Sequence, residues 1–182
     1  MATKTTRTKT TRTKTSRTKT SRTKTSRNGS KDAITLLRED HATARRLLRE
    51  LEETEVDQVE RRKSLLEEVT SEVEVHAKVE EELFYPAFHA KAQEGEDEKL
   101  FYEAEEEHAL VHGIIPLLRK TDPGSEQFSA RAKVLKDLVE HHAEEEENEL
   151  FPRARELMDR TSLHELGDRL KQRKTELKNS KR

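Results

Sequence analysis

The sequence predicts an all-α fold, an antiparallel four-helix bundle running up-down-up-down. Three observations lead to it. The chain of 182 residues holds 5 Gly and 4 Pro, while Leu, Ala, Val and charged residues dominate, a composition suited to long helices. Four segments carry apolar stripes spaced by threes and fours, the period of a helix with one buried face. Short breaks rich in turn residues separate these segments, and short connections favour antiparallel neighbours.

The first helix is expected over about residues 31–53, with Ile34, Leu37, His41, Ala44, Leu48 and Leu51 in line. The second is expected over about 57–92, with Leu66, Val69, Val73, His76, Glu80 and Leu83 on one face. A turn at 93–97 contains Gly95. The third helix, about 98–120, aligns Phe101, His108, Val111, His112, Ile115 and Leu118. Thr121-Asp-Pro-Gly-Ser125 is a clear break, with Pro and Gly in turn positions. The fourth helix, about 126–159, aligns Phe128, Leu135, Leu138, His142, Glu146 and Leu150. A short fifth helix is expected to begin at Ser162, where Ser162 and Glu165 have the spacing of a capping box. Leu163, Leu166 and Leu170 would be its buried face, and Lys171–Arg182 is expected to fray. The domain division is therefore 1–30, 31–160 and 161–182.

Residues 1–30 are a low-complexity repeat in which Thr-Ser-Arg-Thr-Lys recurs, as at Thr15–Lys19 and Thr20–Lys24. Such a segment has almost nothing to bury and is expected to be disordered. Residues 1–27 carry ten Lys or Arg and no acid, leaving 26 basic against 38 acidic side chains elsewhere. A basic arm thus precedes an acidic body. It suits a solvated tail, or a nonspecific contact of residues 1–27 with nucleic acid through phosphate neutralisation. No aromatic residue interleaves its charges, so base stacking is not supported. The chain lacks cysteine, which excludes disulfides and thiolate chemistry. It shows neither an apolar signal segment nor an apolar run of membrane-spanning length. A cytoplasmic location without membrane contact is the expectation.

Hydrophobic residues make up 30% of the chain and charged ones 41%, so the core must be thin. It is therefore informative that His41, His76, His108, His112 and His142, with Glu80 and Glu146, fall on the apolar stripes. His76-Ala-Lys-Val-Glu80-Glu-Glu-Leu-Phe-Tyr-Pro86 is echoed by His142-Ala-Glu-Glu-Glu146-Glu-Asn-Glu-Leu-Phe-Pro152. Residues at i and i+4 of a helix lie one turn apart on the same face. A buried ionised carboxylate costs several kcal/mol unless paired or coordinated. Two divalent ions held between the helices would remove that cost, because they become the dominant local charges. Imidazole with carboxylate suits iron, and manganese or zinc as well. A lone histidine on such a stripe is ordinarily a hydrogen-bonded core residue, and a glutamate run a solvated face. Neither reading accounts for four helices that each place a histidine on the interior stripe. His89 and His164 lie off the stripes and read as surface residues. Phe84, Tyr85 and Tyr102 read as packing at the bundle edge. Pro86 and Pro152 should kink or end the metal-bearing helices.

Asp40-His41, His76…Glu80-Glu81…Pro86, Glu107-His108 with His112, and His142…Glu146-Glu147…Pro152 together resemble the hemerythrin-like, HHE cation-binding family. The resemblance covers about residues 31–160. It implies a four-helix bundle around two non-haem irons, with an oxo or hydroxo bridge. His108, His112 and His142 would ligate one iron and His41 and His76 the other, with Glu80 and Glu146 bridging. Oxygen would bind at the open position of the iron with fewer histidines. Oxygen-carrying members place an aspartate five residues after the fourth-helix histidine. Here Glu146 lies four after His142 and five after His141, and the repeat with His76 and Glu80 favours His142. The longer carboxylate makes sensing of oxygen, nitric oxide or redox state more credible than storage. Ferritin-like oxidases rely on more carboxylates and on Glu-x-x-His spacing. This histidine-rich set therefore places binding of O2 or another diatomic ligand ahead of oxidase or peroxide-decomposing activity.

Overall fold

The structure, a computed structural model, describes residues 31–180 together with Met1 and Ala2. The expectations of a disordered repeat over 1–30 and of a nucleic-acid contact through 1–27 fall almost entirely outside these residues. Among the described residues the secondary structure is wholly helical. Helix α1 spans Ala33–Glu52, α2 Val59–Val79, α3 Tyr85–His89, α4 Glu96–Arg119, α5 Glu126–Glu145, α6 Phe151–Leu157 and α7 Arg160–Ser180. Two π-helical turns, π1 (Glu80–Phe84) and π2 (Glu146–Leu150), join α2 to α3 and α5 to α6. No described helix is long and apolar enough to cross a membrane.

Local chemistry sets the helix starts. The Asp32 carboxylate accepts the Thr35 N–H at 2.8 Å, and the Ser125 hydroxyl accepts that of Phe128 at 3.2 Å. Each satisfies an amide that the first turn leaves unpaired. Gly95, at φ 100°, stands immediately before α4, in a backbone region that glycine enters without steric cost. Helix α1 packs on α2 and α5, and α4 packs on α5 and α2, closing the four-helix bundle.

The prolines neither end the long helices nor leave them regular. Tyr85 N–H bonds to Glu80 O, and Phe151 N–H to Glu146 O, each five residues back. The wider turn accommodates a proline ring that would meet the i−4 carbonyl in an α-helix. The extra residue also shifts the register. Phe84, Tyr85 and Phe88 are buried, whereas Leu83, the expected continuation of the stripe, is only partly covered.

The buried apolar side chains form two clusters. One gathers Leu47, Leu48, Leu51, Leu65, Val69, Ile115, Leu118, Phe128 and Leu135. The other gathers Ile34, Leu37, Phe84, Tyr85, Phe88, Leu150, Phe151 and leucines of α7. Between them lie buried His41, His76, Glu80, His108, His142 and Glu146. The bundle is therefore two dry blocks separated by an ionisable layer.

Helix α7 differs from the sequence expectation. It has 21 residues and runs through Ser180. Ser162 is inside it, and its N–H is capped by the Asp159 carboxylate at 2.9 Å. Leu163, Leu166 and Leu170 are buried as expected. Through Ser180 the basic end is helical, and its cations meet acids of the bundle. Arg173 makes two bonds to Glu82 at 2.6 and 3.1 Å, Lys178 reaches Glu72 at 2.7 Å, and Lys174 pairs with Asp40. Gly167 permits the docking. A Cβ there would lie 2.6 Å from Lys31 O and 2.9 Å from Ala33 N, both backbone atoms. In an exposed helix Gly→Ala is stabilising by roughly 1 kcal/mol. Here Gly167→Ala is expected to cost about 1–3 kcal/mol by overpacking and to lower the melting temperature. A melt that is unchanged or higher would show that α7 does not approach the start of α1 so closely.

Candidate metal centre

The four long helices each deliver one imidazole to the middle layer, and each presents its Nε2 inward. His41 Nε2 and His76 Nε2 are 3.1 Å apart, and His108 Nε2 and His142 Nε2 are 3.2 Å apart. The two carboxylates reach across these pairs. Glu80 Oε2 lies 2.9 Å from His76 Nε2 and 3.4 Å from His108 Nε2. Glu146 Oε2 lies 3.2 Å from His41 Nε2 and 3.6 Å from His142 Nε2. Each glutamate thus touches one member of each histidine pair.

The outward nitrogens are held as regularly. His41 Nδ1 meets Glu147 at 2.9 Å, His76 Nδ1 meets Asp40 at 3.3 Å, His108 Nδ1 meets Glu81 at 3.2 Å and His142 Nδ1 meets Glu107 at 2.8 Å. Every such acid is the sequence neighbour of a central residue, as Asp40-His41, Glu80-Glu81, Glu107-His108 and Glu146-Glu147. A carboxylate on the outer nitrogen fixes ring orientation and raises the basicity of the inner one.

This donor set fits metal ions. Both Glu80 oxygens and Glu146 Oε2 are buried without a hydrogen-bond partner, although imidazole nitrogens stand close by. The nitrogens and oxygens converge on common points without forming good hydrogen bonds with one another. Ligands about 2.1 Å from an ion and at right angles stand about 3.0 Å apart, the spacing seen within each histidine pair. Buried His41, His76, His142 and Glu146 form one group able to hold an ion, and Glu80, His108 and His142 form another.

Without metal, charge balance comes from protons. Burial alone would lower the pKa of His76, but Glu80 and Asp40 outweigh it and raise it to about 10. Burial opposes protonation of His108 as well, yet Glu80 and Glu81 raise it to about 9. Glu81 is held down at about 2, chiefly by its bond to His108, and Glu147 at about 2, chiefly by its bond to His41.

His112 does not join the layer. Its side chain is 46% exposed, and its Nε2 meets Glu81 at 2.9 Å. The i+4 spacing keeps it on the face of His108 but carries it a turn along α4, where Glu81 intercepts it. Six of the seven residues expected from the sequence, His41, His76, Glu80, His108, His142 and Glu146, stand in the buried layer, and the seventh, His112, lies beside it in a group with Glu81 and His108 that could also hold an ion. His142 occupies the interior position, while His141 is 61% exposed. His89 stacks on Phe101 away from the layer, with ring centres 4.4 Å apart.

Tyr85 is the residue that sequence reasoning missed. It is fully buried, not at the bundle edge; its hydroxyl donates to Glu146 Oε1 at 3.0 Å and lies 3.1 Å from His108 Nε2. Burial and the charges of Glu146 and Glu80 hold the phenol well above its ordinary pKa, so it keeps its proton. In the paired repeat Tyr85 corresponds to Phe151, whose ring stacks on His41 with centroids 5.6 Å apart. The layer therefore has a phenol on the His108 side and an apolar ring on the His41 side. The available signal was the position of Tyr85, five residues after Glu80 and directly before a helical proline.

A helical bundle with such a layer defines a cation-binding protein, and the comparisons with known proteins agree. The family model described as Hemerythrin HHE cation binding domain matches residues 32–154. The chain belongs to that family. It is 27% identical over 150 residues to the uncharacterized protein Rv2633c of Mycobacterium tuberculosis, covering 82% of this chain and 89% of the relative. It is 28% identical over 116 residues to a DNA nickase of Nostoc sp., covering 64% of this chain but only 31% of that protein. The crystal structure of an HHE cation-binding domain protein from Mycobacterium kansasii, a homologue of Rv2633c, superposes with a TM-score of 0.71 at 28% identity, covering 82% of this chain and 89% of that one.

Proposed function

We propose that this chain is a non-haem di-iron protein that binds O2, or senses oxygen, nitric oxide or redox state. The observation that carries the reading is the arrangement of two imidazole pairs spanned by two buried carboxylates, of whose four oxygens three, both of Glu80 and Oε2 of Glu146, have no hydrogen-bond partner. His41 and His76 would hold one ion, His108 and His142 the other, and Glu80 and Glu146 would reach both. Bound iron supplies redox chemistry and exchangeable positions that protein side chains lack. The chain's own contribution is positional. Asp40, Glu81, Glu107 and Glu147 orient the rings through their outer nitrogens, and Phe84 and Phe151 exclude water beside His41. Manganese and zinc suit the same donors.

Tyr85 favours a second reading, an oxidase or peroxide-decomposing enzyme. Its hydroxyl donates a hydrogen bond to Glu146 at the centre, and a fixed hydrogen-bond donor there can stabilise negative charge that develops during turnover. Elemental analysis with an absorption spectrum of the aerobically purified protein tests the metal. Two irons per chain with oxo-bridge charge-transfer bands are expected, and a chain that takes up no iron would overturn both readings. A spectral change that stops at one oxygen per centre supports binding. Sustained consumption of oxygen or peroxide supports the enzyme.

A further inference from the structure

A second cluster of metal-type ligands lies outside the buried layer. His141 Nε2 is 3.3 Å from Glu107 Oε1 and 3.3 Å from Glu145 Oε1, and the three can hold one ion. They line an outer groove of about 480 Å³ with Glu103, Glu106, Tyr102, Leu110 and Lys99. Four carboxylates there face one lysine, which is itself paired with Glu103 at 3.1 Å. This local excess of negative charge attracts cations.

The second observation is what lies beneath. Glu103, Glu107 and Glu145 also line a small void of about 10 Å³, which Glu146 lines as well. That volume accommodates about one water-sized group. Glu146 is 1% exposed, and its Oε2 is without a hydrogen-bond partner. Glu107 faces both ways, since its Oε1 meets His141 outside and its Oε2 meets His142 inside at 2.8 Å. Glu145 and Glu146 are successive residues where α5 passes into π2, one at the surface and the other in the layer. Oxygen and nitrogen donors thus follow one another from solvent to the buried centre.

We propose that Glu107, His141 and Glu145 form an entry site that captures a divalent cation, ferrous iron in the first place, and passes it between α4 and α5 to Glu146. The proposal rests on the reading of the buried layer as a metal centre. A hexahydrated ion cannot cross a void of this size, so it must exchange waters for protein ligands on the way. His141 and Glu145 supply them at the mouth, and Glu146 supplies the next inside. Capture and passage involve no redox change, and the ion is the same species at each place.

The test is the rate at which the full-length, metal-stripped protein takes up ferrous iron under argon, sampled by chelator quench. His141→Ala with Glu145→Gln is expected to slow uptake about tenfold while the final iron content equals that of the parent. Glu68→Gln, which removes an exposed acid elsewhere, is expected to load at the parental rate. Thermal melts of the stripped variants check that the fold is kept. The inference is overturned by parental uptake in the double variant, or by equal slowing in Glu68→Gln, which would reduce the effect to general surface charge. A parent protein that takes up no iron would instead sink the reading of the centre itself.

Discussion

Removal of iron from the loaded protein is expected to lower its melting temperature by about 10 °C. A ligand present at about 1,000 times its dissociation constant stabilises the folded state by about 4 kcal/mol, and a domain of this size shifts by roughly 2–4 °C per kcal/mol. The structural reason is that the layer between the two apolar blocks has little to hold it together without ions. Three of its carboxylate oxygens lack hydrogen-bond partners, and burial opposes the protonation to which neighbouring carboxylates drive His76 and His108.

The gap should vary with pH in a definite direction. In the stripped chain the folded-state pKa values of His76 and His108 are raised to about 10 and about 9. Their contribution to stability is fully present below about pH 6.5, the unfolded value for histidine, and is lost as pH rises through 9–10. Glu81 and Glu147, held at about 2, contribute above the ordinary glutamate pKa and lose that contribution as pH falls toward 2. The stripped protein should therefore melt highest in mildly acidic solution and lower at pH 9. Melting curves of both forms from pH 5 to 9 check this. Coincident curves would mean that no metal bridges the layer.

Replacing either central glutamate should have the largest effect on metal content. Glu80→Ala or Glu146→Ala withdraws a donor that reaches both histidine pairs, so each of two ions held by those pairs would lose a ligand at once. Loss of an outer partner typically lowers metal affinity 10–100-fold. Loss of a shared carboxylate should exceed about 100-fold on that scale, leaving the purified variant with little iron. Glu147→Gln should fall within the outer-partner range. His112→Ala should retain both ions, because His112 touches Glu81 rather than the layer. Iron analysis beside circular dichroism separates metal loss from unfolding. A His112→Ala protein that loses half its iron would show that His112 is a ligand after all and that the loaded centre draws α4 inward.

The extent to which this arrangement can be read from sequence varies by element. The α1 stripe is legible throughout, because a regular helix preserves its period and Ile34, Leu37, His41, Ala44, Leu48 and Leu51 are all buried. The α2 stripe is legible only to Glu80. There the hydrogen bonding slips by one residue, a change that periodicity does not encode, and Tyr85 turns inward in consequence. For His112, spacing identifies the face of the helix but not what stands opposite, and Glu81 comes from another helix. Asp40, Glu81, Glu107 and Glu147 look like solvated acids in the sequence, and their histidine partners come from other helices. The basic stretch 171–182 reads from sequence as a fraying end because the acids that its cations meet, Glu82, Asp40 and Glu72, are remote in sequence.

The crosswise reach of the two glutamates also bears on assembly. Glu80, from the first helical hairpin, approaches His108 of the second, and Glu146, from the second, approaches His41 of the first. Neither hairpin alone presents a complete set of donors. During synthesis, tight ion capture must wait until the segment carrying His142 and Glu146 has emerged and docked. Bound metal would then report on the finished tertiary fold, so a chain halted midway would be nearly blind to the cation.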